Sequence, residues 1–281
     1  MNKNLLGIDF EEWYHIELIR KNLEQKKHEP TVTKGLDKIL ELLRKSDTKA
    51  TFFVVGELLE LFPNMIDRIL ENENEIAFHT MYHERLDDMK GKEQFDEEIK
   101  KFSELTSNRS VGFRAPTFSL NKKTSWMIDS LIQNNYIYDS SVVPAKTSMY
   151  GIPDAQTSPY KITSSVLEKD NSNGKIIEFP LTVTKFLGKT TPACGGFYLR
   201  FLPFKVIKNA IKNYEEQEIP ATFYIHSWEL TPEYMPKIKL SKKDHFVTYH
   251  NLEKTPKKME ELLALYDFTT FEKYIQNGAI K

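Results

Sequence analysis

The chain has little cysteine and almost no net charge. Cys194 is the single cysteine among 281 residues, so an internal disulfide and a cysteine cluster for a structural metal are both excluded. Lysine and arginine number 39 against 40 aspartate and glutamate, which gives a formal net charge of −1. This balance provides no electrostatic footprint for nucleic acid, and we expect no nucleic-acid partner.

Long apolar runs are also missing. No stretch approaches the roughly 18 apolar residues that a membrane-spanning helix needs. The opening "MNKNLLGIDF" has only a short apolar run before Asp9 and lacks the pattern of a secretory signal. Together with the single cysteine, these features predict a soluble, cytoplasmic protein without a membrane span. The sequence carries no signal for a particular oligomeric state.

Short apolar runs alternate with helical patterns along most of the chain. Strand-like "NLLGIDF" precedes helix-like "GLDKILELLRKS", and "KATFFVVG" and "EIAFH" repeat the alternation. This order is typical of βα units around a parallel sheet or barrel. We predict one α/β domain over residues 1–281, with an irregular insertion at about 145–200. Within it, "KIIEFPLTV" is predicted as a strand and "CGGFYLRFLP" as a glycine-hinged loop.

Polar residues stand at the ends of four apolar runs. They are Asp9 after "LLGI", His79 after "EIAF", Arg114 after "VGF", and His226 after "ATFYI". In parallel α/β architectures, active sites assemble at the carboxyl edge of the strands. We therefore expect these four side chains to lie close together.

The spacing of His79 and His83 suggests a metal site, because residues four apart on a helix share a face. The segment "DFEE" offers Asp9, Glu11 and Glu12 as a third ligand. Two imidazoles and one carboxylate leave a position open for water, which is typical of hydrolytic rather than structural divalent sites.

These stretches resemble the motifs of the polysaccharide deacetylase family, the NodB-homology carbohydrate esterases. The similar segments are, in order, "GIDFEEW", "FHTMYH", "FRAPTFS", "YDSS" and "FYIHSWEL". "GGFYLRFLP" and the C-terminal "YHNLEKTPKKMEELLALYDFTTF" are similar to a subgroup of deacetylases of exopolysaccharide and surface-glycan biosynthesis. The resemblance covers most of the chain and implies a distorted (β/α) barrel.

The resemblance also implies roles for individual residues. Asp9 matches the general base, Arg114 the arginine that orients it, and His226 the general acid. The backbone N–H of Thr117 matches the oxyanion donor. Asp139, in "YDSS", is a candidate for the acid that orients the catalytic histidine.

A metal and a substrate follow from the same resemblance. Glu11, His79 and His83 match the ligands of one divalent ion, for which zinc is the first choice and cobalt, nickel or iron are alternatives. Glu11 is preferred to Glu12 because residues two apart on an extended segment point the same way, so that Asp9 and Glu11 converge. Thr80 matches a small hydroxyl residue that supports substrate or loop geometry.

The implied reaction is hydrolysis of an acetyl amide, with an acetyl ester as the second choice, on a sugar or glycan precursor. The enzyme class would be the hydrolases of carbon–nitrogen bonds in linear amides. Trp13 and Trp228 directly follow catalytic segments and are our candidates for sugar-binding platforms. Two alternatives are an amidohydrolase acting on a small amide such as a cyclic ureide, and a non-catalytic glycan-binding protein on the same fold.

Overall fold

A curled, nine-stranded sheet forms the centre of the protein. The computed structural model describes residues 3–23 and 28–278. The strands are β1 (Asn4–Phe10), β2 (Thr51–Val54), β3 (Glu75–Phe78), β4 (Gly112–Phe113), β5 (Tyr138–Asp139), β6 (Tyr160–Ile162), β7 (Ile176–Glu178), β8 (Val183–Phe186), β9 (Lys189–Pro192), β10 (Thr222–His226) and β11 (Phe268–Thr269). Their order is β10-β1-β2-β3-β4-β5-β7-β6, with β11 beside β1 and a separate β8–β9 hairpin.

Helices follow most of the strands and pack around the sheet. They are α1 (Glu17–Arg20), α2 (Leu36–Lys45), α3 (Gly56–Leu61), α4 (Met65–Glu71), α5 (Lys92–Leu105), α6 (Trp126–Gln133), α7 (Gly196–Phe201), α8 (Phe204–Glu216), α9 (Ser227–Leu230), α10 (Lys242–Tyr249), α11 (Thr255–Leu265) and α12 (Phe271–Gln276). Short 3₁₀ helices span Trp13–His15, Val32–Gly35, Pro116–Phe118, Pro232–Tyr234 and Leu252–Lys254. Among the described residues, none of these helices has the length and apolarity needed to cross a bilayer.

Strand β1 is enclosed along its whole length. All seven of its residues are buried, and it pairs in parallel with β10, β2 and β11. A parallel strand in such an architecture has no face open to solvent. This explains why "NLLGIDF" is almost continuously apolar up to Asp9. The predicted distorted (β/α) barrel is confirmed.

Segments of the irregular region connect the residues that follow β5 with strand β10. The N–H of Leu181 donates to the carbonyl of Val142 (2.9 Å), and the N–H of Thr182 donates to the carbonyl of Thr222 on β10 (3.2 Å). The N–H of Ala193 donates to the carbonyl of Thr182 (2.9 Å). The part of the chain with the least regular sequence pattern therefore closes the barrel.

Two local predictions in this region were wrong. "KIIEFPLTV" forms not one strand but β7 and the start of β8, with Pro180 between them, where a residue lacking an N–H cannot continue a ladder. "GGFYLRFLP" contains helix α7 instead of a loop. Gly195, at φ 117°, occupies the N-cap of that helix, so the glycine starts the helix rather than hinging a loop.

The buried carboxyl group of Glu75 lies at the start of β3, at the end of the sheet opposite the carboxyl edge. The Glu75 side chain accepts hydrogen bonds from the Tyr138 hydroxyl (2.6 Å) and from the N–H of Glu272 (3.1 Å), and it also accepts one from Thr51. The N–H of Phe271 donates to the Thr51 hydroxyl (3.1 Å). Glu75 thus ties the start of α12 to the sheet, and burial raises its pKa to about 7.

Candidate active site

Seven predicted site residues line one cavity at the carboxyl edge of the sheet. Asp9 on β1 is the register partner of His226 on β10, while His79 follows β3 and Arg114 follows β4. The cavity has a volume of about 140 Å³. The predicted residues on its wall are Asp9, Glu11, His79, His83, Thr117, His226 and Trp228.

Asp9 is fixed by a fully buried arginine. The Nη1 atom of Arg114 lies 2.6 Å from Oδ1 of Asp9. Nε of Arg114 donates to the carbonyl of Ser140 (3.0 Å) and Nη2 donates to its hydroxyl (2.9 Å). Gly7 makes room for this group, because a Cβ at that position would lie 2.5 Å from Nη1. The arginine that the resemblance placed beside the base is in hydrogen-bond contact with it.

Glu11, His79 and His83 form a cluster that could hold a metal ion. One donor atom from each residue lies within 4.8 Å of the others. The Oε2 atom of Glu11 is 2.6 Å from Nε2 of His83, yet it is buried and lacks a hydrogen-bond partner in the described part of the chain. Nδ1 of His79 lies 2.6 Å from the carbonyl oxygen of Arg114. A proton on Nδ1 that is donated to this oxygen leaves Nε2 unprotonated, with its lone pair free to bind a cation.

The charge states of the cluster suit a cation. Burial lowers the pKa of His79 to about 4, which keeps this imidazole neutral at physiological pH. Burial by itself would raise the pKa of Glu11, but the His83 imidazole beside it and the charge of His226 hold it below its ordinary value. A carboxylate beside two imidazole donors, with an orphaned buried oxygen, fits one divalent ion.

The structure separates the roles of Glu11 and Glu12. Both carboxylate oxygens of Glu12 accept backbone N–H groups, from Thr31 (2.9 Å), Val32 (3.0 Å) and Thr33 (2.8 Å). The carboxylate of Glu12 therefore caps the start of the 3₁₀ helix Val32–Gly35. Glu11 faces the cavity, and its Oε1 accepts the indole N–H of Trp228 (2.9 Å).

His226 is oriented by a glutamate that the sequence analysis did not select. Nδ1 of His226 lies 2.7 Å from Oε2 of Glu229. Oε1 of Glu229 accepts from Nε of Arg200 (2.6 Å), and both side chains of that pair are buried. Burial alone would lower the pKa of His226, but the Glu229 carboxylate outweighs it and raises the pKa to about 9. The protonated form of His226 is therefore favoured at neutral pH.

The prediction that Asp139 orients the histidine or meets substrate is wrong. Asp139 is fully buried, and its Oδ1 accepts the hydroxyl of Ser141 (2.6 Å). Burial raises its pKa to about 6. A local signal for the true partner was present in "HSWE", because a glutamate three residues after a helix-starting residue can reach back to it. Arg200 belongs to another helix, α7, and no local sequence pattern predicts that it pairs with Glu229.

Three predicted substrate contacts need correction. Thr80 is fully buried and does not line the cavity; its carbonyl accepts the N–H of Gly56 (3.0 Å), which is a contribution to loop geometry. Trp13 is 9 % exposed, packs edge-on against Tyr14, and also lies outside the cavity wall. Trp228 lines the cavity, but its ring stacks on His226 at 5.0 Å, so this face cannot serve as a sugar platform.

Four residues in or next to the cavity wall have a left-handed backbone conformation. Thr80, His83, Thr117 and Phe118 all have left-handed φ angles, between 49° and 58°. Such conformations are costly for residues other than glycine and persist where surrounding contacts enforce them. At His83 the enforcing contact comes from Arg20, whose Nη1 donates to the carbonyls of Tyr82 (2.9 Å) and His83 (2.7 Å).

Two family models match consecutive parts of the chain. Residues 28–134 match the model described as polysaccharide deacetylase, and residues 140–276 match a domain of unknown function, DUF3473. The first match contains His79, His83 and Arg114, and the second contains His226 and Glu229. Asp9 and Glu11 precede both.

Two curated relatives and one crystal structure are similar to the chain. A peptidoglycan deacetylase-like protein of Gibberella zeae is 31 % identical over 121 residues, covering 41 % of this chain and 35 % of the relative. The peptidoglycan-N-acetylglucosamine deacetylase of Bacillus cereus is 38 % identical over 81 residues, covering 29 % and 28 %. The aligned part thus spans about a third of each relative. A candidate polysaccharide deacetylase from Mycobacterium smegmatis aligns with a TM-score of 0.58 at 16 % identity, covering 99 % of this chain and 91 % of that one, and so shares the fold.

Proposed function

Because the chain belongs to the polysaccharide deacetylase family, we propose that it is a metal-dependent hydrolase that removes an acetyl group from the nitrogen of a sugar. One observation carries this proposal. The same small cavity brings together the Asp9–Arg114 pair, the Glu11–His79–His83 cluster and the protonated His226. A base, a cation site and an acid are the three components that hydrolysis of an unactivated amide requires.

Asp9 and His226 would divide the proton transfers. Asp9, held by Arg114, takes a proton from the water that attacks the acetyl carbon. His226 donates its proton to the sugar nitrogen as the carbon–nitrogen bond breaks, so that acetate and a free amine leave. The Thr117 N–H is the proposed donor to the oxyanion of the tetrahedral intermediate. A divalent ion held by Glu11, His79 and His83, with zinc as our first choice, would supply Lewis acidity.

An amide is preferred to an ester as the substrate because the side chains around His226 favour its protonated form. An alkoxide leaves more readily than an amine anion, which departs only when it is protonated. The Glu229–Arg200 pair behind His226 maintains a proton donor for this step. The proposed substrate is an acetylated sugar or glycan precursor, in the manner of the exopolysaccharide subgroup, and the proposed location is the cytoplasm, which the single, buried Cys194 supports.

Product analysis tests this function directly. Purified protein loaded with zinc should release acetate from N-acetylhexosamine oligomers, and Asp9→Asn should abolish that release while the metal stays bound. Ammonia or a ring-opened product from cyclic ureides, without acetate release from sugars, would favour the small-amide alternative. Saturable glycan binding without turnover of either substrate would favour the non-catalytic one.

A further inference from the structure

A half-buried and two exposed phenylalanines form an aromatic surface at the mouth of the cavity. Phe197 lines the cavity, and its ring stacks on that of Phe201 at 5.2 Å and 17°. Phe246 meets Phe197 edge-on at 6.0 Å. Phe201 and Phe246 are 49 % and 44 % exposed. We call Phe197, Phe201 and Phe246 the aromatic rim. Contiguous exposed apolar groups of this kind mark binding surfaces.

The rim is preformed. Phe197 and Phe201 belong to α7 and Phe246 belongs to α10, so their arrangement depends on how these two helices are joined. Arg200 joins them from below, because its guanidinium donates to the carbonyls of Val247 (2.9 Å), Thr248 (3.1 Å) and His250 (2.9 Å). A partner therefore meets a fixed surface.

Four exposed lysines stand directly before Phe246 in the chain. Lys237 and Lys239 alternate with the half-buried Ile238 and Leu240, so that the lysines face outward. Two more lysines begin α10, one helical turn before Phe246 and on its side of the helix. We call this set the lysine ridge: Lys237, Lys239, Lys242 and Lys243.

The ridge is a local excess of positive charge in a chain whose formal net charge is −1. Elsewhere, exposed lysines are often paired, as Lys45 is with Glu41. Within residues 3–23 and 28–278, no ion pair joins a lysine of the ridge to an acid. The neighbouring carboxylate of Asp244 accepts the hydroxyl of Ser241 (2.7 Å). The charge of the ridge is thus available to an anionic partner.

We propose that the aromatic rim and the lysine ridge form one docking surface for an anionic lipid bilayer. Phenylalanine has no hydrogen-bonding atom, so the rim suits acyl chains better than the hydroxylated edge of a sugar. Lysine clusters beside apolar side chains are attracted to anionic headgroups and to the interface below them. Docking would place the cavity mouth at headgroup level. This inference is independent of the proposed reaction.

Vesicle co-sedimentation of the full chain tests the proposal without any enzyme assay. We expect binding to phosphatidylcholine vesicles that contain phosphatidylglycerol, and roughly tenfold weaker binding to pure phosphatidylcholine or at raised salt. Phe201→Ser with Phe246→Ser, and separately Lys242→Gln with Lys243→Gln, should each weaken binding by about tenfold or more.

Matched controls are available elsewhere in the chain. Leu61→Ser with Phe62→Ser removes two comparably exposed apolar groups, at 54 % and 39 %, and Lys100→Gln with Lys123→Gln removes the same charge. Both should bind like the wild type. Absent vesicle binding, equal binding to neutral and anionic vesicles, or loss in the lysine variant alone would each overturn the proposal. Equal binding to a soluble anionic polysaccharide would also overturn it. If the double phenylalanine variant fails to fold, the Lys242→Gln, Lys243→Gln variant and the single variant Phe246→Ser test the proposal in its place.

Discussion

One carboxylate oxygen of Glu229 holds two atoms of His226. Oε2 lies 2.7 Å from Nδ1 of the ring and accepts the backbone N–H of the same residue at 3.2 Å. The second contact fixes the carboxylate, and the first fixes the ring. Nε2 of His226 therefore stays at the cavity, where it is 3.9 Å from Oε1 of Glu11. The His226 side chain is 21 % exposed, so a substrate can reach this nitrogen.

The first prediction concerns the pH at which activity falls. The pKa of His226 is raised to about 9, since the Glu229 carboxylate outweighs the effect of burial, so the proton donor persists up to that pH. Glu229→Gln removes the charge, and the pKa of His226 should fall. We expect the descending limb of kcat/KM against pH to move down by about one unit or more. Glu233→Gln, a nearby exposed charge change, is the control. An unmoved limb would separate Glu229 from the proton donor.

The second prediction concerns the role of His226 itself. His226→Ala should keep its metal but lose about 10²- to 10⁴-fold in the hydrolysis of N-acetyl sugars, because the amine then leaves without a positioned acid. Activity on an aryl acetate should fall much less, since a phenolate leaves unprotonated. Both rates and the metal content are measured on the same preparation. Equal losses on the two substrates would assign His226 to positioning instead.

The third prediction separates two adjacent glutamates. Glu11→Ala and the double variant His79→Ala, His83→Ala should lose the metal, as measured by elemental analysis. Glu12→Ala should retain it, but its unfolding free energy should drop by about 2 kcal/mol, because three N–H groups of residues 31–33 lose their acceptor. Metal loss only in the Glu12 variant would reverse the assignment.

The fourth prediction concerns stability at the other end of the barrel. In the folded protein the pKa of Glu75 is about 7, above its ordinary value of 4.5, because burial disfavours the charged form. The contribution of protonated Glu75 to stability is therefore complete below about pH 4.5 and is lost as the pH rises through about 7. In Glu75→Gln this part of the pH dependence should disappear from chemical unfolding curves. Glu71→Gln, on an exposed position, should leave the curve like that of the wild type.

The sequence predicts the part of the site that depends on strand periodicity. Asp9, His79, Arg114 and His226 end apolar runs, and parallel strands bring such ends to one edge. The family resemblance then supplied roles, which the experiments above test. Alternation along the extended segment favoured Glu11 over Glu12, but the task of Glu12 was not predictable, since its three hydrogen bonds are made to residues 31–33, about twenty residues away.

The failures have a common cause in tertiary packing. Trp13 and Trp228 follow segments that the resemblance implies to be catalytic, but packing against neighbours decides whether an aromatic ring faces a cavity or the interior. Arg200 supports Glu229 from α7, in a segment whose glycines indicated a loop. Local patterns do not encode which distant helix supplies a counter-charge, so neither the helix nor its role was predictable.

The pairing of β1 determines when the site can assemble during synthesis. Residues 5–9 pair with residues 222–226, and the Ser227 hydroxyl both accepts the N–H of Glu11 (3.1 Å) and donates to its carbonyl (2.7 Å). A nascent chain that has emerged only as far as β9 has neither His226 nor the contacts that hold Glu11, and one edge of β1 is unpaired. Such sequence-distant pairings form slowly and leave a strand edge open to other chains. Competence for metal binding should therefore appear late, after β10 has left the ribosome.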